Sequence, residues 1–326
     1  MKKGIIFLII ITILVTVLAV SGNQDSIVIC ATTEQFRIDE MQKMLNERFP
    51  ELNVIMMYMS TGKAAAKIYA EGTDSEVDIL LAMESGYLSK LKDSLADISG
   101  RTRLNYTDGL TPADNDNLWV TWERFGGAFI VNTEILEKYN LEKPETYEDL
   151  LKPEYQGLIA MPDPKSSGTG FFFYQNWVNL WGLEGALEYV DKLYPNIKQF
   201  TESGSGPIKL LKQGEVAIGL GMTFQAISEA NNGQPFEVIF PDTGSPYSLT
   251  GTAIIEGHQY KKGVAEVYDY VIHELMVYDK ENFSPETVYE GQRNLIPNYP
   301  ENVQYADMTG IQDDQEKERL LAQWKY

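Results

Sequence analysis

A short apolar run, then a loop of Ser, Thr and Gly, then the start of an amphipathic helix: this order recurs along the chain and limits what it can fold into. Residues 27–31 lead into Thr32, Thr33 and Glu34, and a helix carrying Phe36, Met41, Met44, Leu45 and Phe49 ends before Pro50. Residues 53–58 lead into Ser60, Thr61 and Gly62 and an Ala-rich helix stopped by Gly72, and residues 77–82 lead into Glu84, Ser85, Gly86 and a helix around 87–92. Residues 158–161, 197–200 and 216–220 repeat the device, ending in Ser166 to Gly170, Ser203 to Pro207 and Gly221 to Phe224. Strands alternating with helices at this tempo specify βαβ units and a mostly parallel sheet, an α/β fold. Ligands of such sheets settle outside the carboxyl ends of the strands, where these polar loops collect.

The first residues stand apart. Met1-Lys2-Lys3 precedes an apolar run that ends in Ala19-Val20-Ser21-Gly22, the layout of a secretory signal peptide over 1–22, with an uncleaved anchor as the alternative. The rest is expected to work outside the cytoplasm, periplasmic or at the cell surface. Cys30 is the single cysteine, so no intramolecular disulfide forms, and with only His258 and His273 it makes no zinc cluster. A net charge of −20 argues against nucleic acid or an anionic membrane as partner. Neither a Gly-x-Ser-x-Gly elbow nor a nucleophile with an evident base is present, so the expected protein is no enzyme and carries no cofactor or metal; an exported hydrolase is the weaker alternative.

The loop Met161-Pro162-Asp163-Pro164-Lys165-Ser166-Ser167-Gly168-Thr169-Gly170 opens an aromatic-rich helix. The first turn of a helix has unpartnered N–H groups and partial positive charge, and small hydroxyl and Gly residues let an anion come close. Taken alone, the loop is better explained as an ordinary helix cap.

Together with Leu180-Trp181-Gly182, with residues 58–71 (YMSTGKAAAKIYAE), 202–219 (ESGSGPIKLLKQGEVAIG) and 240–257 (FPDTGSPYSLTGTAIIEG), that loop resembles the extracytoplasmic solute-binding proteins of ABC importers. The likeness is to the group that includes ferric-ion, thiamine, phosphosugar and aminoethylphosphonate binders, and it covers about residues 27–296. It implies the two-lobed periplasmic-binding-protein type II fold, with two crossover strands, 127–132 and 236–240, as a hinge. Lobe 1 would comprise 23–127 plus 237–326 and lobe 2 would comprise 128–236. It further implies a monomer that serves an ABC permease and its ATPase.

The ferric branch of that family holds its metal mainly by adjacent tyrosines after the strand equivalent to 216–220. This chain has Met222-Thr223-Phe224-Gln225 there and no Tyr-Tyr pair anywhere, which removes the main hard ligands a ferric ion needs. The expected ligand is therefore a small phosphate- or phosphonate-bearing organic anion, with ferric ion, a ferric chelate, thiamine or thiamine phosphate as alternatives. Thr33, Ser60, Thr61 and Gly62 would face Ser166, Ser167, Gly168, Thr169, Ser203, Gly204, Ser205, Thr223 and Phe224, with Tyr247 or Trp122 beside the rest of the ligand. Glu34 and Glu84 would meet an amino group. Ser60-Thr61-Gly62-Lys63 is not a nucleotide P-loop, because Met57 and Ala64 stand where Gly and Ser/Thr are required.

Overall fold

The computed structural model describes residues 26–107, 109–300 and 303–326; the expected export segment lies outside them. Strands β1 (Ile27–Ala31), β2 (Val54–Tyr58) and β3 (Ile79–Glu84) alternate with helices α1 (Gln35–Arg48), α2 (Thr61–Glu71) and α3 (Ser85–Lys90). β1 lies parallel to both β2 and β3. Ile27, Ile29 and Ala31 point one way, into a core with Ile38, Met41 and Leu45 of α1. Cys30 points the other way, against Ala64, Ala65 and Ile68 of α2. Both faces are covered, as a parallel sheet requires. Burial pushes the Cys30 thiol up to about 11, so it stays an inert apolar filler.

The remaining elements are β4 (Val120–Asn132), α4 (Thr133–Tyr139), β5 (Ile159–Pro162), α5 (Gly168–Leu193), β6 (Ile197–Thr201), α6 (Gly206–Lys212), β7 (Ile218–Met222), α7 (Thr223–Asn231), β8 (Phe236–Ile239), β9 (Tyr247–Ile254), α8 (Val264–Tyr270), α9 (Met276–Asn282) and α10 (Asp314–Gln323). β5 is parallel to β6 and β7, which repeats the device of the N-terminal half. The strands run in the order β2-β1-β3-β9-β4-β7-β5-β6, with β8 also on β4.

Val120 to Asn132 form one strand: residues 120–126 pair with β9, and 127–132 pair with β7 and β8. Glu123 and Arg124 look like a break in the sequence, but Glu123 is buried against a distant arginine. The second crossing is not made by 236–240, because β8 pairs only with the far half of β4. The chain returns through the Pro- and Gly-bearing segment between β8 and β9, where Pro241 and Pro246 have no N–H to offer a ladder. Finally, the C-terminal tail, expected in lobe 1, packs elsewhere. Tyr299, Ala306, Met308, Ile311, Leu320 and Trp324 share a core with the α5 residues Phe171, Tyr174 and Trp177.

Gly182 (φ 71°, ψ 169°) breaks α5 without ending it. Between α8 and α9 the chain makes a π-helical turn, Val271–Leu275. That wider turn precedes Asp279 and Lys280, two ionisable side chains that end fully buried.

The turn before α5 is packed on the backbone itself. A Cβ on Gly170 would lie 2.4 Å from the Pro162 carbonyl oxygen and 2.7 Å from the Asp163 carbonyl carbon, atoms that no rotamer change can move. Gly170→Ala is therefore expected to cost about 1–3 kcal/mol, read as a lower urea midpoint at unchanged slope.

Candidate ligand-binding site

The loops at the carboxyl ends of β1, β2, β3, β5, β6 and β7 meet around a cavity of about 360 Å³. One wall is built from Thr33, Glu34 and Arg37 after β1, Ser60 and Thr61 after β2, and Ala82 and Glu84 on β3. The facing wall is Ser166, Ser167, Gly168 and Thr169 after β5, Ser203, Gly204, Ser205 and Lys209 after β6, and Phe224 and Gln225 after β7.

The backbone explains why these groups are presented. Asp163 accepts N–H bonds from Lys165 at its side chain and from Ser166 and Ser167 at its carbonyl, which folds the loop ahead of α5. Thr201 Oγ1 bonds back to the Ser203 carbonyl, and Ser203 and Ser205 pair their hydroxyls at 3.1 Å. A Cβ on Gly204 would lie 2.4 Å from Thr169 Oγ1, so glycine is what lets the two loops touch. On the other wall, a β-bulge in β3 turns Ala82 to φ 59°, a left-handed conformation that costs a non-glycine residue about 1–2 kcal/mol. The Thr32 hydroxyl holds the Ala82 carbonyl at 2.6 Å in that position.

Ser60, Ser167 and Ser205 are the N-cap residues of α2, α5 and α6, yet none of their side chains caps its own helix. Glu34, at the N-cap of α1, and Met222, at that of α7, also provide no side-chain cap. The opening N–H groups of α1, α2, α5 and α7 thus lack the side-chain partner a helix start usually has, and they cluster at this cavity. Thr250 Oγ1 and Gln225 Oε1 also line the cavity, are buried, and have no hydrogen-bond partner among the described residues. Lys209 has no ion-pair partner among the described residues.

Acidic groups at the site are already engaged. Arg37, buried, donates to Glu123 and Asp279 at 2.6 Å each and to Glu34 at 3.2 Å, while its guanidinium sits 5.2 Å from the Phe224 ring centre. Lys280 lies 3.0 Å from Asp279 and 3.6 Å from Glu123. Burial acts to raise the Asp279 carboxyl, but the charges of Arg37 and then Lys280 outweigh it and hold it below the usual carboxylate range. Burial pushes the Glu34 carboxyl above that range, with Arg37 pulling against it and the Glu123 charge adding to the rise. Glu84 is paired with Lys317 of α10 and also accepts from Gly86 N and Ser248 Oγ.

Most residues expected at the site thus lie on this one cavity, and four do not. Gly62 falls inside the first turn of α2, with Tyr87 Oη as its nearest neighbour across the gap. Thr223 is fully buried, its hydroxyl without a partner. Tyr247 packs edge-on against Tyr305 with Arg124 over its ring, and Trp122 is core. Arg37, Glu123, Asp279, Lys280 and Lys317 were not legible as site residues, since their partners are remote in sequence. The one local hint is Glu34 three residues before Arg37, a spacing at which helical side chains meet.

The fold and this cleft define a two-walled binding protein, and the comparisons give its family. Residues 40–266 match the family described as bacterial extracellular solute-binding protein. The chain belongs to that family, whose members bind solutes rather than transform them. An uncharacterised protein of Haemophilus influenzae is 30% identical over 256 residues, 74% of this chain and 71% of its own length. Among solved structures, the periplasmic binding protein AfuA of Actinobacillus pleuropneumoniae, with exogenous fructose-6-phosphate bound, superposes with a TM-score of 0.82 at 24% identity, over 92% of this chain and 97% of its own. The periplasmic binding protein P5PA gives 0.80 at 21%, over 92% and 98%. The apo ferric ion-binding protein A of Pasteurella haemolytica gives 0.73 at 16%, over 91% and 96%. These likenesses establish the fold, a type II periplasmic-binding-protein architecture.

The Arg37 cluster makes a pH-dependent contribution to stability. Arg37→Met would leave Asp279 and Glu123 buried without their main cation, at a cost of about 3–5 kcal/mol near neutral pH. In the wild type, Asp279 is depressed in the folded state, so its contribution is present above the unfolded value of about 3.9 and is lost as pH falls through the lower folded value. The difference in melting temperature between variant and wild type should therefore be widest at neutral pH and narrow toward pH 3, as measured by calorimetry across that range.

Proposed function

We propose that the protein is the substrate-capture component of an ABC import system, taking a small organic anion that bears a phosphate or phosphonate group. The observation that carries this reading is the convergence of uncapped helix starts and free hydroxyls on one cavity, with Lys209 unpaired at its edge. Such a surface offers many N–H and O–H donors and fixed partial positive charge to a tetrahedral oxyanion. The volume suits a ligand of monosaccharide size rather than a polymer. Buried Thr250 and Gln225 acceptors, and Glu34 on the opposite wall, provide for hydroxyl or amino groups on the ligand's other end. A phosphate ester bound in AfuA, a protein of this fold, agrees with the reading.

Capture would proceed by closure of two lobes about β4 and the segment between β8 and β9, with the boundaries near 127 and 237 and the tail moving with the second lobe. The closed protein would be recognised by an ABC permease at the outer face of the cytoplasmic membrane, and would act as a monomer in the periplasm or at the cell surface.

Iron fits poorly. Tyr58 is the one tyrosine on the cavity, and burial pushes its phenol up, away from the phenolate a ferric ion takes. The carboxylates Glu34, Glu84 and Glu123 are paired with Arg37 and Lys317.

A thermal-shift screen of phosphate esters, phosphonates, thiamine forms and ferric salts tests the proposal, since a ligand that binds only the folded state raises its melting temperature. Ser167→Ala with Thr169→Ala should weaken the best phosphate ester at least about 100-fold, the loss of two hydrogen bonds to a charged group, while apo stability changes little. Stabilisation by ferric salts alone, or unchanged affinity in the double variant, would overturn it.

A further inference from the structure

The tail beyond the family match does more than close the chain. Helix α10 is held to the α5 side of the molecule by Leu320 and Trp324 in the shared core, by Tyr174 Oη to the Leu320 carbonyl at 3.3 Å, and by Lys165 Nζ to the Trp324 carbonyl at 2.7 Å. Upstream, Asn179 Nδ2 bonds the Asp307 and Thr309 carbonyls at 3.0 Å each. The opposite side of the same helix reaches the other wall. Glu318 pairs with Lys90 of α3, and Lys317 runs inward to Glu84, 233 residues away in sequence. Lys317 is 4% exposed, and its ammonium lies 3.9 Å from the Tyr87 ring centre on α3 and 4.5 Å from that of Phe171 on α5.

Resting on the anion-capture reading above, we propose that α10 is a strap joining the two walls of the cleft and that Lys317 is a positioning residue, the counter-ion that keeps the Glu84 carboxylate compatible with a bound anion. Glu84 lines the cavity directly beneath the start of α5: a Cβ on Gly168 would lie 3.6 Å from its Cγ. A carboxylate at that point repels an incoming phosphate unless a cation offsets it. Among the described residues no other cation is paired with it: Arg37 is taken up by Glu34, Glu123 and Asp279, and Lys209 on the facing wall makes no ion pair. The remaining neighbours of the Glu84 carboxylate are neutral donors, Gly86 N and Ser248 Oγ, with Tyr87 above; Lys90, on the next turn of α3, is occupied by Glu318. The offset therefore comes from the tail, and only when α10 lies across both walls. Strap docking and anion binding would then favour each other, as two events that stabilise one closed state.

Lys317→Met keeps the length of the buried stem and removes the charge, and Lys317→Arg keeps the charge. Two readouts separate the strap from the ligand. Without any ligand, amide hydrogen exchange of residues 315–323 should quicken roughly ten-fold or more in Lys317→Met and stay near wild type in Lys317→Arg. With inorganic phosphate and methylphosphonate as probes, titrated calorimetrically, affinity should fall about 100-fold in Lys317→Met at pH 7.5. If Lys317→Met does not fold, the wild type still decides: phosphate should slow exchange in 315–323 together with the first turns of α2 and α5. Unchanged exchange in the ligand-free variant, or in the wild type when calorimetry shows phosphate bound, overturns the strap. An affinity loss shared in full by Lys317→Arg overturns the counter-ion role and leaves only packing. If neither probe binds the wild type while exchange responds as expected, the anion reading fails and the strap stands.

Discussion

Every wall of the cleft hangs from one thirteen-residue strand. β4 spends its first half hydrogen-bonded to β9 and its second half to β7 and β8, so the backbone ladders of both halves of the molecule run through it. Where the partners change, Gly127 lies under Phe172 and Phe173, with no room for a side chain. Glu286 comes up beside it, accepting from Gly126 N and from the hydroxyls of Tyr299 and Tyr305. Burial raises that carboxyl, with the three donors working against the rise. A shared strand fixes the strand ends of one half relative to those of the other. That is what lets loops so far apart in sequence enclose one cavity.

The alternation of strand and helix was legible because each run's period and punctuation survive in the sequence: apolar runs of four to six residues, small polar loops, and stops such as Gly72 and Pro50. Helix starts were legible for the same reason, and with them Ser60, Thr61, Ser166, Ser167, Gly168, Thr169, Ser203, Gly204 and Ser205, which the structure brings to one cavity. What failed were inferences that needed tertiary partners. Glu123 and Arg124 look like a surface turn, and only Arg37, eighty-six positions upstream in the chain, makes Glu123 a buried strand residue. Asp279 and Lys280 look like the polar end of a helix until the π-helical turn and Arg37 place them inside. Tyr247 was expected beside the rest of the ligand, yet its ring is occupied by Tyr305 and Arg124.

Local chemistry also accounts for how an acidic protein could present the proposed anion site. The chain carries 47 acidic against 27 basic residues, so its long-range field repels anions. At the cleft that field is answered at short range. Backbone dipoles need no counter-charge and cannot be neutralised by the protein's own carboxylates, which here are tied to Arg37 and Lys317. Helix starts whose natural caps, Ser60 and Ser167, point elsewhere keep their donors available.

The same arrangement bears on discrimination between a bare metal and an oxyanion. A ferric ion would have to strip Glu34 or Glu123 from Arg37, or Glu84 from Lys317, leaving a buried cation without its partner, which is costly in a low-dielectric site. An oxyanion requires no such rearrangement: it accepts from donors that are already oriented and free. Preorganisation of this kind lowers the cost of binding for one charge type and raises it for the other, so with the proposed anionic ligand the pairing of the carboxylates would act as a selectivity element without touching it.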